Sequence, residues 1–197
     1  MKPAFRGALA LALAFAAGVA MSFGQTYTPH ALSPFFNSAA PVVAVAGFVA
    51  FTARRWWLSA LIGAFAGPAV MAGYYVTSEL RGFPGSASYI ALWSTAGVIV
   101  GAAMGLGVWA LRFSSSTPLK AAGASLWPGV AVGEAAFGLT ANAETTPGGY
   151  WWAQAVLGVA ALAAIAWYHL PTWAGRLMSL GFAAVVALAV FAAYGAR

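Results

Sequence analysis

The sequence predicts an all-α fold, a polytopic bundle of transmembrane helices in which residues 1–197 form a single domain. Of the 197 residues, 62% are hydrophobic and only 6% are charged, and the apolar stretches are long and unbroken. A soluble domain carries about 25% charged residues, so lipid rather than water must cover this surface. In lipid only helices and closed barrels satisfy the backbone, and these stretches lack the alternation of a barrel strand.

About 20 helical residues are needed to cross a bilayer, and apolar runs of that order predict about seven helices. The second run is the shortest, so six spans is the alternative count. The expected bounds are 5–24, 39–53, 56–78, 89–113, 120–139, 150–168 and a last helix that ends near residue 194.

The apolar run of the first helix follows Lys2 and Arg6 and also resembles a secretory signal, with small residues near Ser22 as a cleavage site. We expect it to be retained, because the run approaches spanning length and further spans follow directly; cleavage is the alternative. The second helix starts after Asn37 and Ser38, which are good N-cap residues.

The later helices are bounded by pairs of charges and by polar turns. Arg54 and Arg55 separate helices two and three, and a turn rich in Gly and Pro at 79–88 precedes helix four. The segments 114–118 and 140–149 bound helix five, and Pro171 lies in the turn before helix seven.

Charge fixes the orientation, because cytoplasmic loops of membrane proteins carry an excess of Lys and Arg. With the N-terminus in the cytoplasm, seven of the nine basic residues lie inside and all three acidic residues lie outside. The chain is therefore predicted to be a multi-pass protein of the bacterial cytoplasmic (inner) membrane, with the lipid bilayer as its surroundings. Because the cations lie in short clusters between apolar runs, nucleic-acid binding is not expected.

Small residues recur at a spacing of four on helices one, three, four and five, most fully on one and four, which lets helix backbones approach closely in lipid. They predict packing inside the bundle or, for helix one, docking of a membrane protein partner. The fullest sets are Ala8, Ala12, Ala16 and Ala20 on helix one and Gly97, Gly101 and Gly105 on helix four.

Glu134 is the one acidic residue inside an apolar span, where a carboxylate normally faces a partner or a water-filled cavity. A carboxylate among aromatic faces and amides is a common way to hold an organic cation. We therefore expect an outward-facing pocket for a small cationic or aromatic solute. Its expected lining residues are Glu134, Trp93, Tyr74, Tyr75, Trp127, Trp152, Gln154 and Asn37.

The alternative interpretation of the same residues is structural. Glu134 is then protonated, or bonded to a Trp or Tyr donor, and fixes helix packing. The aromatic residues then form the belts that Trp and Tyr make at membrane interfaces.

The sequence does not support catalysis. It has no cysteine, and His30 and His169 fall on opposite sides of the predicted membrane, so they cannot ligate one metal ion. No phosphate-binding loop and no nucleophile motif is present. We expect neither an enzyme nor a metal or cofactor site, and an enzyme acting on lipid ranks last among the hypotheses.

Several short motifs resemble an uncharacterised family of bacterial polytopic membrane proteins of about 200 residues. The resemblance covers most of the chain and implies a fold but no activity. Its motifs are Asn37-Ser38, Gly73-Tyr74-Tyr75, Arg81-Gly82, Trp93 and the glycine-rich helix four.

The alanine stripe of helix one is similar to that of a second group, the substrate-binding components of energy-coupling-factor transporters. Those components are small helical proteins without catalytic motifs that capture vitamins from outside. They usually have six spans, whereas seven are predicted here.

These patterns predict a non-enzymatic membrane protein that binds a small solute, as a transporter or a component of one. The alternative is an accessory or structural subunit of a larger membrane complex that binds lipid or pigment.

Overall fold

The computed structural model describes residues 3–142, 144 and 146–196, with side chains from residue 5 onward. Lys2 and Arg197, which count in the charge asymmetry, lie outside these residues. Within the described chain the fold is all-helical, without strands, and the predicted helical membrane fold is confirmed. The elements are α1 (Pro3–Tyr27), a 3-10 helix (Ser33–Asn37), α2 (Ala39–Ala50), α3 (Trp56–Leu80), α4 (Ala87–Phe113), α5 (Thr117–Ala141), α6 (Gly148–His169) and α7 (Trp173–Gly195).

Five of the seven described helices are long and apolar enough to cross a membrane: α1, α3, α4, α6 and α7. The helix α2 has 12 residues and is about 18 Å long, which is shorter than the hydrocarbon core of a bilayer, about 30 Å. The helix α5 has 25 residues but is less apolar, because it contains Lys120, Glu134, Ser125 and four Gly residues.

The helix ends follow local chemistry. Gly82 lies just beyond α3 with a φ of 84°, a left-handed conformation that glycine adopts without a steric penalty. Its N–H donates to the carbonyl oxygen of Glu79 over 2.9 Å. At the start of α7, the hydroxyl of Thr172 accepts a hydrogen bond from the N–H of Gly175 over 3.2 Å.

The described chain divides into two compact units. The first unit comprises residues 3–28 and 41–109, and the second comprises residues 29–40 and 110–196. Two of the three boundaries fall within helices, in α2 and in α4, so α2 begins in the second unit and continues in the first.

In the first unit, glycines bring α3 and α4 into backbone contact. A Cβ atom at Gly63 would collide with the carbonyl oxygen of Gly101, and one at Gly67 would collide with the backbone of Gly97. At Gly105 the facing group is the carbonyl of Ser59, whose hydroxyl donates to the carbonyl oxygen of Gly105 over 2.8 Å. The predicted glycine ladder of helix four therefore lies against α3.

The helix α1 packs on α3 through a different face from the one that carries the alanine stripe. Gly18 lies against the backbone of Val70, and Gly73 lies against the backbone of Phe15. The buried positions of α1 include Ala10 and Ala14. The stripe residues Ala8, Ala12, Ala16 and Ala20 are all exposed.

In the second unit, α5 packs on both α6 and α7. Gly129 and Gly133 of α5 lie against Val186 and Ala187 of α7. A small apolar core at one end joins α5 to α6 and the residue that follows it, and consists of Ala121, Ala124, Ala166 and Leu170. Because α5 is central, Glu134 on it is surrounded by protein.

Candidate functional site

The carboxylate of Glu134 is the centre of a buried hydrogen-bond network in the second unit. Glu134 is only 2% exposed. Its Oε1 accepts from the N–H of Ala39 over 2.7 Å and from the hydroxyl of Tyr194 over 2.6 Å. Its Oε2 accepts from the hydroxyl of Ser38 over 2.6 Å, from the N–H of Ala40 over 3.0 Å and from Nε2 of Gln154 over 3.1 Å. Five donors therefore surround one carboxylate.

Two of these donors are the first backbone amides of α2. The chain arrives through the 3-10 helix and turns at Ser38, which is extended (φ −116°, ψ 147°). The first N–H groups of a helix have no partner within the helix, and the helix dipole places partial positive charge there. Glu134 therefore caps α2 from a distance of 95 residues along the sequence.

The amide of Gln154 is itself held in one orientation. Its Nε2 also donates to the carbonyl oxygen of Ala131 over 3.1 Å, and its Oε1 accepts from the hydroxyl of Tyr150 over 2.5 Å. With oxygen and nitrogen assigned in this way, both ends of the amide have suitable partners. Gln154 thus presents an N–H donor to Glu134.

Trp127 lies on the same face of α5 as Glu134, about two turns earlier, and contacts the same part of α2. Its Nε1 donates to the carbonyl oxygen of Ala40 over 2.9 Å. The first turn of α2 is therefore held at its amides by Glu134 and at one carbonyl by Trp127.

Aromatic side chains surround the Tyr194 side of the carboxylate. The ring of Phe137 lies 5.2 Å from that of Tyr194 and 6.0 Å from that of Phe191, measured between centroids. Tyr194 lies in the last turn of α7, so this cover is formed by a helix end.

Trp151 adds a buried donor without an acceptor. Its Nε1 has no hydrogen-bond partner among the described residues, although the side chain is only 6% exposed. The ring packs against Gly138, one turn after Glu134 on α5. A buried polar group without a partner is uncommon and calls for an explanation.

The predicted site residues fall into three groups. Glu134, Gln154 and Trp127 come together around the start of α2. Trp152 and Asn37 belong to the same unit but are exposed, Trp152 by 62%, and neither contacts the carboxylate. Tyr74, Tyr75 and Trp93 belong to the first unit.

In the first unit, Tyr74 and Tyr75 pack edge to face with centroids 5.2 Å apart, and the hydroxyl of Tyr74 donates to Oε1 of Gln25. Arg81 lies in the same unit and donates to the carbonyl oxygen of Ser22 over 2.8 Å. Its guanidinium lies 4.6 Å from the ring centroid of Phe23. Trp93 is half-buried on α4.

Sequence reasoning missed three members of the network. Ser38 was expected only as a helix cap, and Tyr150 and Tyr194 were not among the expected lining residues. Hydroxyl groups at the ends of spans are typical of belts, and no local pattern distinguishes Tyr194 from a belt residue.

The polar groups of this site are the Glu134 carboxylate, its hydrogen-bond donors and the indole N–H of Trp151. Among the described residues, no group of three or more His, Asp or Glu side chains is placed to hold a metal ion. The carboxylate can accept hydrogen bonds from a donor, and the unpaired indole N–H can donate one.

Comparison with known proteins yields one result. The model of a family of unknown function (DUF6518) matches the chain over residues 1–197. No curated protein and no solved structure matches the chain.

Proposed function

Because the chain belongs to this family of unknown function, its role must be inferred from its own residues, and we propose that it is a non-enzymatic membrane protein that binds a small solute. It acts as a transporter or a component of one. The solute carries a cationic N–H donor, and the Glu134 carboxylate receives it.

The observation that carries this proposal is a buried acid at the start of a short, interrupted helix. Ionisable residues inside membrane segments mark substrate or ion pathways by default. Transporters build solute sites from discontinuous helices whose half-helix ends point at charged groups. Here α2 has 12 residues and follows a 3-10 helix, and its first backbone amide donates to Glu134.

The donors of Glu134 differ in how easily a solute can replace them. Those of Ala39 and Ala40 are fixed backbone amides of α2. That of Tyr194 is a side-chain hydroxyl on the last turn of α7. In the proposed binding step the solute's ammonium group takes the place of the Tyr194 hydroxyl, and the amides stay in place.

The surroundings suit such a solute. The rings of Phe137, Phe191 and Tyr194 offer aromatic faces to a cation, and each cation–π contact is worth about 0.5–2 kcal/mol. Trp151 supplies an N–H donor for an acceptor atom elsewhere on the solute. An amine that also carries a hydroxyl or carbonyl group fits both features.

The test is a binding screen on the full chain purified in mild detergent. Small organic amines and matched neutral amides are tested for thermal stabilisation, which a ligand specific for the folded state produces, and native mass spectrometry identifies any molecule that co-purifies. An amine should stabilise the wild-type protein and not E134Q. If every stabilising compound acted equally on E134Q, the carboxylate would have no role in binding.

Tyr194→Phe distinguishes a binding site from a purely structural network. Removing the hydroxyl abolishes the contact that competes with the solute, so we expect about tenfold tighter binding of the amine. Tyr150→Phe is the matched control, because its hydroxyl belongs to the same network but bonds Gln154 rather than the carboxylate. Weaker binding by Tyr194→Phe than by Tyr150→Phe would contradict the proposed displacement.

A second candidate function is that of a subunit in a larger membrane complex. It is favoured by the exposed alanine stripe Ala8, Ala12, Ala16 and Ala20 on α1, because small residues let a partner helix approach closely. Ala12→Leu should then release a stoichiometric partner during purification in mild detergent. If the variant retained that partner, the alanine stripe would not be the docking surface.

A further inference from the structure

A second candidate site lies in the first unit, between the start of α1 and the end of α2. It is a half-open groove of about 400 Å³, near the lower end of the range for small-ligand clefts, about 300–1,000 Å³. Its lining residues include Arg6, Leu9, Leu13, Phe48, Phe51 and Thr52.

The groove is apolar along its length and cationic at one end. Leu9 and Leu13 follow Arg6 along one side of α1, whereas the opposite wall comes from the last turn of α2 and the residues after it. Arg6 is the charged residue of the lining and is exposed. The apolar part of the groove can therefore hold a hydrocarbon chain, and the end at Arg6 can hold an anionic group.

The charge around this end of the unit is of one sign. Arg54 and Arg55 follow Thr52 closely and are exposed. Among the described residues of the first unit, the acidic residue is Glu79. It lies near the end of α3, about 35 Å along that helix from Trp56, which directly follows Arg55. No carboxylate of the unit therefore neutralises Arg6.

We infer that this groove binds one acyl chain of an anionic phospholipid, whose phosphate group lies at Arg6. Basic pockets between transmembrane helices hold lipid headgroups of this charge. The apolar walls require an acyl chain, and Arg6, which no carboxylate of its unit neutralises, requires an anion. A zwitterionic lipid, whose phosphate charge is offset by its own cation, meets the second requirement only in part, and a free phosphate does not meet the first. This inference does not depend on the solute proposed at Glu134, which belongs to the second unit.

The test uses the full-length protein in detergent and native mass spectrometry of bound lipid. The probes are phosphatidylglycerol, phosphatidylcholine with the same acyl chains, and inorganic phosphate. A single arginine near a headgroup contributes about fivefold in affinity. We expect phosphatidylglycerol to bind about fivefold better than phosphatidylcholine, with no competition from inorganic phosphate at equal concentration.

Two variants test the two ends of the groove. Arg6→Gln should reduce the preference to about one, whereas the control Arg55→Gln, with the same loss of charge outside the groove, should keep it. Leu13→Trp fills the apolar part and should lower binding of phosphatidylglycerol while Arg6 is intact. If Leu13→Trp does not fold, Thr52→Trp fills the groove from the α2 side.

Three results would overturn the inference. Equal losses in Arg6→Gln and Arg55→Gln would show general surface attraction. Unchanged lipid binding in a folded variant with a filled groove would show that the acyl chain lies elsewhere. Displacement of the lipid by inorganic phosphate would show an anion site without a role for the chain.

Discussion

The buried carboxylate of Glu134 is stabilised by hydrogen-bond donors from Ser38 and from the helices α2, α6 and α7. A carboxylate moved out of water loses several kcal/mol of solvation unless it is paired and hydrogen-bonded. Ser38, Gln154, Tyr194 and two amides of α2 fill its acceptor positions. The same residue therefore holds the start of α2 in place.

Replacing this carboxylate by an amide should destabilise the protein strongly. In Glu134→Gln the new NH2 group must face donors at either oxygen position, because both positions accept hydrogen bonds at present. We expect a loss of about 3 kcal/mol in the free energy of unfolding, measured by denaturant unfolding in detergent. Glu144→Gln is the control, since Glu144 is exposed and should change stability by less than about 0.5 kcal/mol. Equal effects of the two changes would contradict the capping role of Glu134.

The sequence singles out Glu134 and places Gln154 near it, whereas it does not reveal the hydroxyl groups that bond the carboxylate. A single acid in an apolar run is visible by hydropathy alone. Ser38 and Tyr194 lie 96 and 60 residues away in sequence, and only tertiary packing brings their hydroxyls to the carboxylate. Trp152 was expected among the pocket residues because of its depth, and it is 62% exposed, since depth does not reveal which side of a helix faces protein.

Among the helices, bounds were predicted to within a few residues because they depend on local signals. The arginine pair before α3 and the glycine at positive φ after it act on adjacent residues. The pairing of α3 with α4 through Gly63 and Gly101 depends on backbone approach, and spaced glycines do not specify which helix they face. The sequence therefore predicted close packing but not its partner.

A methyl group at the α3–α4 contact should separate the two helices. In Gly63→Ala the added Cβ collides with the carbonyl oxygen of Gly101, which is rigid backbone, so we expect a loss of about 1–3 kcal/mol in unfolding free energy. Gly7→Ala is the matched control in the same unit, because nothing lies within 4 Å of its added Cβ. A stable Gly63→Ala variant that unfolds like wild type would refute this contact.

For the whole molecule, the composition predicted that lipid surrounds the protein, and the distribution of charge predicted that its N-terminus lies in the cytoplasm. Five described helices are suited to cross a bilayer, fewer than the seven spans expected. The difference arises at α2, which is short, and at α5, whose polar and small residues serve contacts inside the second unit. Apolar runs alone do not distinguish a helix that faces lipid from one that faces protein.

The orientation is testable with single cysteines, because the natural chain has none. Ser86 and Ser115 are exposed and flank opposite ends of α4, which is about 40 Å long. A membrane-impermeant thiol reagent should label Ser86→Cys in intact cells and Ser115→Cys only after the membrane is opened. The reverse pattern would place the N-terminus outside.

The long-range cap on α2 also has a consequence for biosynthesis. Ala39 and Ala40 are synthesised long before Glu134, and Tyr194 is synthesised last. The first amides of the nascent α2 therefore lack the acceptor that they have in the folded protein. Each such amide costs several kcal/mol in hydrocarbon. We therefore expect the start of α2 to stay in the hydrated headgroup region until α5 is inserted. Its insertion is then a late step of assembly.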